Sequence, residues 1–301
     1  MRQILCPVCS QKPSGSPQEN SLVTCTLCET TWTFFSQEVD ADALYEDAVY
    51  AVVDNRKSIF ERIIFREARR VLKKAEKLLK STSPSLLDFG SGKGQFLWVA
   101  KQRSWVGLGI ETAADRANFA RDKYGVKVLS EFYDKGKVMG APFDLISLNH
   151  VLEHLPDPLH LLKELLNENL AENGMVYLEV PRKNSWQAGI AGKNWMHWDI
   201  PKHLTHWTEP ILLNGLAEIG FHKVASRKFS IHLGLLGMLQ ALLALGGYKG
   251  NLILALKGKK NPFLLVMVIC LTPLALLLEL GACLFNRGGI LGIYLQANDQ
   301  N

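Results

Sequence analysis

The sequence predicts an α/β protein with a Rossmann-like core, a small cysteine-rich module ahead of it and an apolar helical segment late in the chain. Three observations carry this. The apolar run Leu86-Leu87-Asp88-Phe89 enters a glycine-rich turn, Gly90-Ser91-Gly92-Lys93-Gly94, and about twenty residues on a second run, Gly107-Leu108-Gly109-Ile110, ends in Glu111. Cys6-x2-Cys9 and Cys25-x2-Cys28 are separated by fifteen residues. Phe263 to Phe285 is a run of 23 residues whose only charge is Glu279.

At 301 residues the chain holds one full α/β domain plus a small appendage. The net charge of +5 permits contact with an acidic surface and does not by itself argue for nucleic acid. Its excess is concentrated in Lys73 to Lys80 and Lys249 to Lys260. The amino terminus carries Arg2 and an apolar pair but no apolar core of signal-peptide length, so the expected location is cytoplasmic.

Residues 1–35 read as a zinc ribbon. The two C-x-x-C knuckles suit a tetrahedral thiolate site of Cys6, Cys9, Cys25 and Cys28 holding a structural Zn2+. Disulfides are the alternative, and the missing export signal weighs against them. Ser10 to Ser21, with Pro13, Gly15 and Pro17, suits the loop between knuckles, and Trp32, Phe34 and Phe35 suit the ribbon's small core. Cys270 and Cys283 read as buried thiols. Residues 36–83 read as an N-terminal helical cap, with helical spacing from Asp40 to Lys80 at Ile59, Ile63, Ile64, Val71, Leu72, Leu78 and Leu79. The basic run Arg69-Arg70 to Lys80 reads as a solvated helix face, with a nucleic-acid patch as the alternative.

The core occupies 84–230 and 286–301. Strands are expected at 85–89, 105–110, 126–129, 143–148, 175–180, 223–229 and 290–296, with helices from Gly94, over 113–124, 158–169 and 210–219. Residues 231–285 form the apolar insertion. The run from 263 has the length of a bilayer span, but a return to the sheet excludes a single crossing. A two-span hairpin would place Lys249, Lys257, Lys259 and Lys260 on the far side, against the positive-inside tendency. A helical pair lying in the interface beside anionic headgroups fits better, with Pro273 and Glu279 suiting a kinked, partly embedded element. Burial inside a soluble domain or a dimer is the competing reading.

The glycine turn departs from the dinucleotide form, since G-x-G-x-x-G phased on Gly90 and Gly92 would need glycine where Gln95 stands. The acid-x-Gly-x-Gly-x-Gly form from Asp88 to Gly94 instead resembles motif I of the class I S-adenosylmethionine-dependent methyltransferases. Phe143 to Asn149 resembles the fourth strand of that family, and His150-Val151-Leu152-Glu153-His154-Leu155-Pro156-Asp157-Pro158 resembles the branch acting on small molecules, lipids and sugars. The resemblance covers roughly residues 84 to 230 and the last strand. It implies a seven-stranded Rossmann-like sheet whose last strand is antiparallel, with S-adenosyl-L-methionine as cofactor. By the same resemblance, Gly90, Gly92 and Gly94 pack against the methionine portion and Asp88 fixes the loop. Glu111 accepts from both ribose hydroxyls, Asn149 lies beside the cofactor at the end of the fourth strand, and adenine lies near Glu131 and Phe132.

Asn149-His150-Val151-Leu152 stands where methyltransferases of nucleobase amines often carry Asn/Asp-Pro-Pro-Tyr/Phe, which argues against base amines as acceptors. His150 is a candidate general base for a hydroxyl or an acidic carbon. His154 suits capping and packing better than catalysis, and His-x-x-Glu-His after this strand makes a poor metal motif. The segment from Trp186 to Trp207 is dense in aromatics and histidines. Pro201-Lys202-His203-Leu204 resembles the family's Pro-Arg-His-Leu lid, with lysine replacing arginine, making His203 and His206 further candidate bases; a purely structural lid is the alternative. The expected function is methyl transfer to an O or C nucleophile of a lipid, a lipid-linked glycan or a similar small-molecule acceptor at the cytoplasmic face of a membrane. The alternatives are an rRNA or tRNA methyltransferase gripping RNA with its ribbon, and a non-catalytic zinc-ribbon interaction protein on a membrane.

Overall fold

The computed structural model describes residues 3–37, 54, 58–81, 83–257 and 261–298. The expected helical stretch from Asp40 to residue 53 lies outside them, as do Lys259 and Lys260. Strands β1 (Ser21–Thr24) and β2 (Thr31–Phe34) form an antiparallel hairpin. Helix α1 (Ile59–Leu79) starts where the Ser58 hydroxyl accepts from the Glu61 N–H at 3.0 Å and stops at Lys80 in the left-handed region. Its Val71 and Leu72 are buried as expected, whereas Ile59, at the first helical position, is 75% exposed and adds nothing to the core.

Strand and helix then alternate. β3 (Ser85–Phe89) leads to α2 (Gln95–Lys101), and β4 (Val106–Ile110) to α3 (Ala114–Phe119) with a π-helical turn through Tyr124. β5 (Lys127–Leu129), β6 (Phe143–Asn149), α4 (Pro158–Asn169) and β7 (Leu170–Pro181) follow. Asp157 caps α4 and Pro158 opens it, where a missing N–H costs nothing. β7 begins five residues earlier than its apolar run predicts, its first residues including Glu172 and Asn173 at exposed positions. Next come α5 (Trp186–Ala191), β8 (Thr205–His206), α6 (Glu209–Glu218) and β9 (Phe221–Arg227). The apolar insertion resolves into α7 (Leu236–Leu245), preceded by a π-helical turn from Ile231, then α8 (Leu252–Lys257) and α9 (Pro262–Leu284), and the described chain closes with β10 (Ile290–Ala297).

Two compact units gather these elements. One holds Val52–Val180, Leu212–Arg227 and Gly292–Asn301. It is the seven-stranded sheet, in the order β5-β4-β3-β6-β7-β10-β9, with β10 antiparallel to β9. β3 is parallel to both β4 and β6, so the chain leaves β3 in one direction through β4 and β5 and in the other through β6 and β7. Such a reversal opens a crevice outside the carboxyl ends of the central strands. Leu86, Leu87, Leu145, Ile146 and Leu148 are fully buried, as strands covered on both faces require.

The other unit holds Met1–Ala51, Pro181–Ile211 and Lys228–Leu291. Its sheet is β1-β2-β8, because Thr31 pairs with His206 and Trp32 with Thr205. The aromatic segment therefore supplies the ribbon's third strand. Trp32 packs with Cys6 and Cys25, and Phe35 is fully buried. The same unit contains an apolar cluster of Met238, Leu239, Leu243, Leu252 and Ala275, with Trp186, Leu264 and Leu271 against it.

Candidate functional site

The crevice is built at the carboxyl ends of β3, β4 and β6. Gly90 and Gly94 are glycine for two reasons: both have positive φ, and a Cβ would stand 2.4 Å from Val151 Cγ2 at the first and 2.7 Å from Ala120 Cβ at the second. Gly92 differs. A Cβ there would meet no atom within 4 Å, so the middle of the loop borders open space. The Gly92 N–H donates to Glu111 Oε2 at 2.7 Å, and the Ala113 N–H donates to Oε1 at 3.0 Å. The buried Glu111 carboxylate thus fixes the glycine loop itself. Each oxygen still has lone-pair capacity for a further donor.

Asp88, expected to fix that loop, turns the other way. Its Oδ1 accepts from Ser147 Oγ at 2.7 Å and from Asn149 Nδ2 at 3.3 Å, so it ties β3 to β6. Asp88 is a strand residue, and its register partner across the pair is Ser147. Burial pushes its carboxyl up to about 7, with the two hydrogen bonds opposing the rise.

His150 leaves β6 with φ +56°. Its Nδ1 lies 3.3 Å from Glu153 Oε1 and its Nε2 3.3 Å from Glu179 Oε1. Burial alone would lower its pKa; the two carboxylates prevail and raise it to about 9. The ring is therefore an imidazolium at neutral pH with both nitrogens turned to acids, a form with no lone pair to take a proton. The chain of charge runs on. Arg227 and Tyr177 both donate to Glu179 Oε2, and Arg227 Nη2 lies 3.0 Å from Glu67 of α1. Burial would raise the Glu179 carboxyl, but Arg227 and then His150 hold it well below the usual carboxylate range. Glu67, Ser147, Glu179 and Arg227 carry no recognisable motif. Glu179 alone leaves a trace, an acid inside the apolar strand Met175 to Pro181.

His203 and His206 belong to the unit with the ribbon. His203 Nδ1 is 2.8 Å from the His197 carbonyl, and its own carbonyl accepts from Thr33 Oγ1 at 2.6 Å. His206 is a strand residue whose Nε2 is 3.2 Å from Thr33 Oγ1. Both are buried, and the His206 ring meets Trp198 edge to face with centroids 4.9 Å apart. Asp199 Oδ2 is 4.0 Å from His203 Nε2. Phe132, expected beside adenine, is 76% exposed.

The thiols of Cys6, Cys9, Cys25 and Cys28 lie within 4.8 Å of one another, Cys6–Cys28 and Cys9–Cys25 each at 3.5 Å. Four sulfurs about 2.3 Å from a tetrahedral ion stand about 3.8 Å apart, so the donor set fits zinc. None of the four forms a disulfide.

A seven-stranded sheet with this order, a glycine loop after its first strand and an acid after its second defines a class I methyltransferase architecture. Residues 60–226, more than half of the chain, match the family described as "Methyltransferase domain". The chain belongs to that family and is an S-adenosylmethionine-dependent methyltransferase. Among solved structures it is similar to the plantazolicin methyltransferase BpumL. The complex of that protein with a triazolic desmethylPZN analog and SAH is 19% identical, covers 86% of this chain and 94% of that one, and gives a TM-score of 0.52. The complex with SAH alone is 19% identical over 86% and 93% of the two chains, with a TM-score of 0.51. At this identity the likeness concerns the fold. No curated protein matches the sequence.

Asp88 yields a pH prediction. Its folded pKa is raised, so between the ordinary carboxylate range and about 7 the folded state holds a proton that the unfolded state has released. Stability accordingly falls as pH rises through that window, by up to about 1.4 kcal/mol per pH unit from this group. Asp88→Asn keeps the acceptor for Ser147 and Asn149 and removes the penalty. Melting followed from pH 4 to 8 is expected to decline less in the variant, which should melt above the wild type at pH 8.

Proposed function

We propose that the enzyme transfers the methyl group of S-adenosylmethionine to an oxygen or carbon nucleophile of a lipid, a lipid-linked glycan or a similar small-molecule acceptor, at the cytoplasmic face of a membrane. The observation that carries the acceptor class is α9. It is 23 residues long, and only Ala275, Glu279, Ala282 and Cys283 of it are buried. Phe263, Val266, Ile269, Leu277 and Leu284 are each more than half exposed. A soluble protein rarely leaves so large an apolar face in water, and one facing lipid explains it. The single acid of the helix does not interrupt that face, because Glu279 is buried and accepts from the Gly289 N–H at 2.8 Å. Support for an extended small-molecule acceptor also comes from BpumL, a protein of like fold solved with SAH and desmethylPZN analogs.

In this reading the open side of Gly92, with Gly90 and Gly94 flanking it, receives the methionine portion of the cofactor. Glu111 takes the ribose hydroxyls on its remaining lone pairs, and Asp88 and Asn149 bound the crevice toward β6. Methyl transfer from a sulfonium is an in-line displacement with a good leaving group, so alignment and exclusion of water are the main demands. His150, held as a cation between two acids, acts here by position and not as a base. Cys6, Cys9, Cys25 and Cys28 hold one structural zinc that closes the ribbon, as a site with four protein ligands does.

Three outcomes are expected. Glu111→Ala should weaken binding of S-adenosylhomocysteine, measured by calorimetry, by about ten-fold or more, as loss of hydrogen bonds to an ionised acceptor implies; unchanged affinity would remove Glu111 from the site. Metal analysis of reduced protein should find one zinc per chain, lost when Cys25 and Cys28 are replaced by serine. Radiolabelled methyl from S-adenosylmethionine, supplied to the purified enzyme with extract of cells lacking it, should partition into the organic or glycan fraction. Label in RNA would overturn the acceptor class.

A further inference from the structure

Helix α1 segregates its charges. Its three acids all turn inward: Glu61 receives Gln95 Nε2 at 3.2 Å and the Tyr124 hydroxyl, Glu67 pairs with Arg227, and Glu76 takes Arg103 and, at 2.8 Å, Trp105 Nε1. What remains outside is of one sign. From Arg62 to Lys80 every exposed position is a cation, four arginines followed by four lysines. In sequence the basic run from Arg69 to Lys80 reads as a solvated helix face; in three dimensions the stripe starts already at Arg62 and is about 27 Å long at 1.5 Å per residue. Eight positive charges on one face exceed the +5 of the entire chain.

We propose that the outer face of α1 is an electrostatic docking surface for the anionic headgroups of a lipid bilayer. The proposal rests on the membrane-surface reading given above. Long polybasic faces are drawn to anionic leaflets, each Lys or Arg near the surface strengthening association roughly five-fold. The face has no exposed aromatic on which a base could stack, which disfavours a single-stranded nucleic acid. Apart from Ile59 it has no exposed large apolar side chain, so it rests at headgroup level without inserting. Part of the stripe is pinned in place: Lys74 Nζ donates to the Ser226 carbonyl at 3.2 Å and lies 5.5 Å from the Tyr294 ring centroid.

The test is flotation of the full chain with two kinds of vesicle, pure phosphatidylcholine and phosphatidylcholine containing about 30% phosphatidylglycerol, at about 0.1 M and 0.5 M salt. The wild type is expected to bind both, the anionic vesicles at least ten-fold more tightly, with the gain lost at high salt. Replacing Arg66, Arg70, Lys73 and Lys77 together by glutamine, all at exposed positions, should cut the gain at least about five-fold and leave binding to phosphatidylcholine unchanged. Binding to phosphatidylcholine without a gain on the anionic vesicles overturns the docking surface and spares the membrane reading; binding to neither overturns both. A gain undiminished in the quadruple variant transfers it to another basic region and removes α1. Binding of bulk tRNA at about 0.15 M salt, lost in the same variant, replaces the bilayer by nucleic acid as the partner.

Discussion

The seam between β3 and β6 governs the rest of the molecule. It is where the chain reverses its progress across the sheet, and the crevice exists because two connections leave this seam in opposite directions. A polar cross-link is set into it: Asp88 on one strand, Ser147 and Asn149 on the other. Placing a carboxyl among the fully buried Leu87, Ile146 and Leu148 is costly, which is why its proton affinity rises toward neutrality.

Around the seam, hydrogen bonds and ion pairs divide the work of shaping the crevice. Glu111 holds the glycine loop through the Gly92 N–H and its own turn into α3 through the Ala113 N–H, leaving the loop's outer side free. The turn after β6 is held by charge, with His150 between Glu153 and Glu179 and Arg227 joining Glu179 to Glu67. Buried pairs of this kind add little net stability, yet removing one member leaves an uncompensated ion. Their value is geometric: the left-handed His150 is kept in place by both ring nitrogens and by its backbone N–H, which donates to the Glu179 carbonyl at 2.8 Å.

Much of this was legible in the sequence, and the illegible parts share a cause. Strands buried on both faces announce themselves as short apolar runs, so β3, β4, β6 and β10 stand within a residue or so of their expected bounds. Motif I and the four cysteines are local patterns, and local patterns survive folding unchanged. Interactions between distant segments are not written this way. Nothing near His206 in the sequence reveals that residues 205 and 206 pair with a strand more than 170 positions earlier. Asp88 adjoins the glycine loop in sequence, while the partners of its Oδ1 are some 60 residues away. For α1, spacing gave the helix, but which of its charges faced inward depended on Gln95, Arg103 and Arg227.

Lengths decide between the ways α7 and α9 can meet a bilayer. A helix of 23 residues measures about 34 Å, enough for a hydrocarbon core of about 30 Å. Its antiparallel companion is shorter: the helical stretch from Ile231 to Leu245 measures about 22 Å. A transmembrane hairpin therefore fails at α7, which would leave the following turn, with the exposed Lys249, inside the hydrocarbon. Laid along the surface, the pair has no such conflict. In that proposed placement Lys249 at the turn and Lys228 and Arg287 at the base, all exposed, would reach headgroups, and Phe263 and Phe285 at the two ends of α9 would sit at interfacial depth. In water the same arrangement leaves the outer side of α9 without an apolar contact, and it is on this exposed face that the membrane-surface proposal rests.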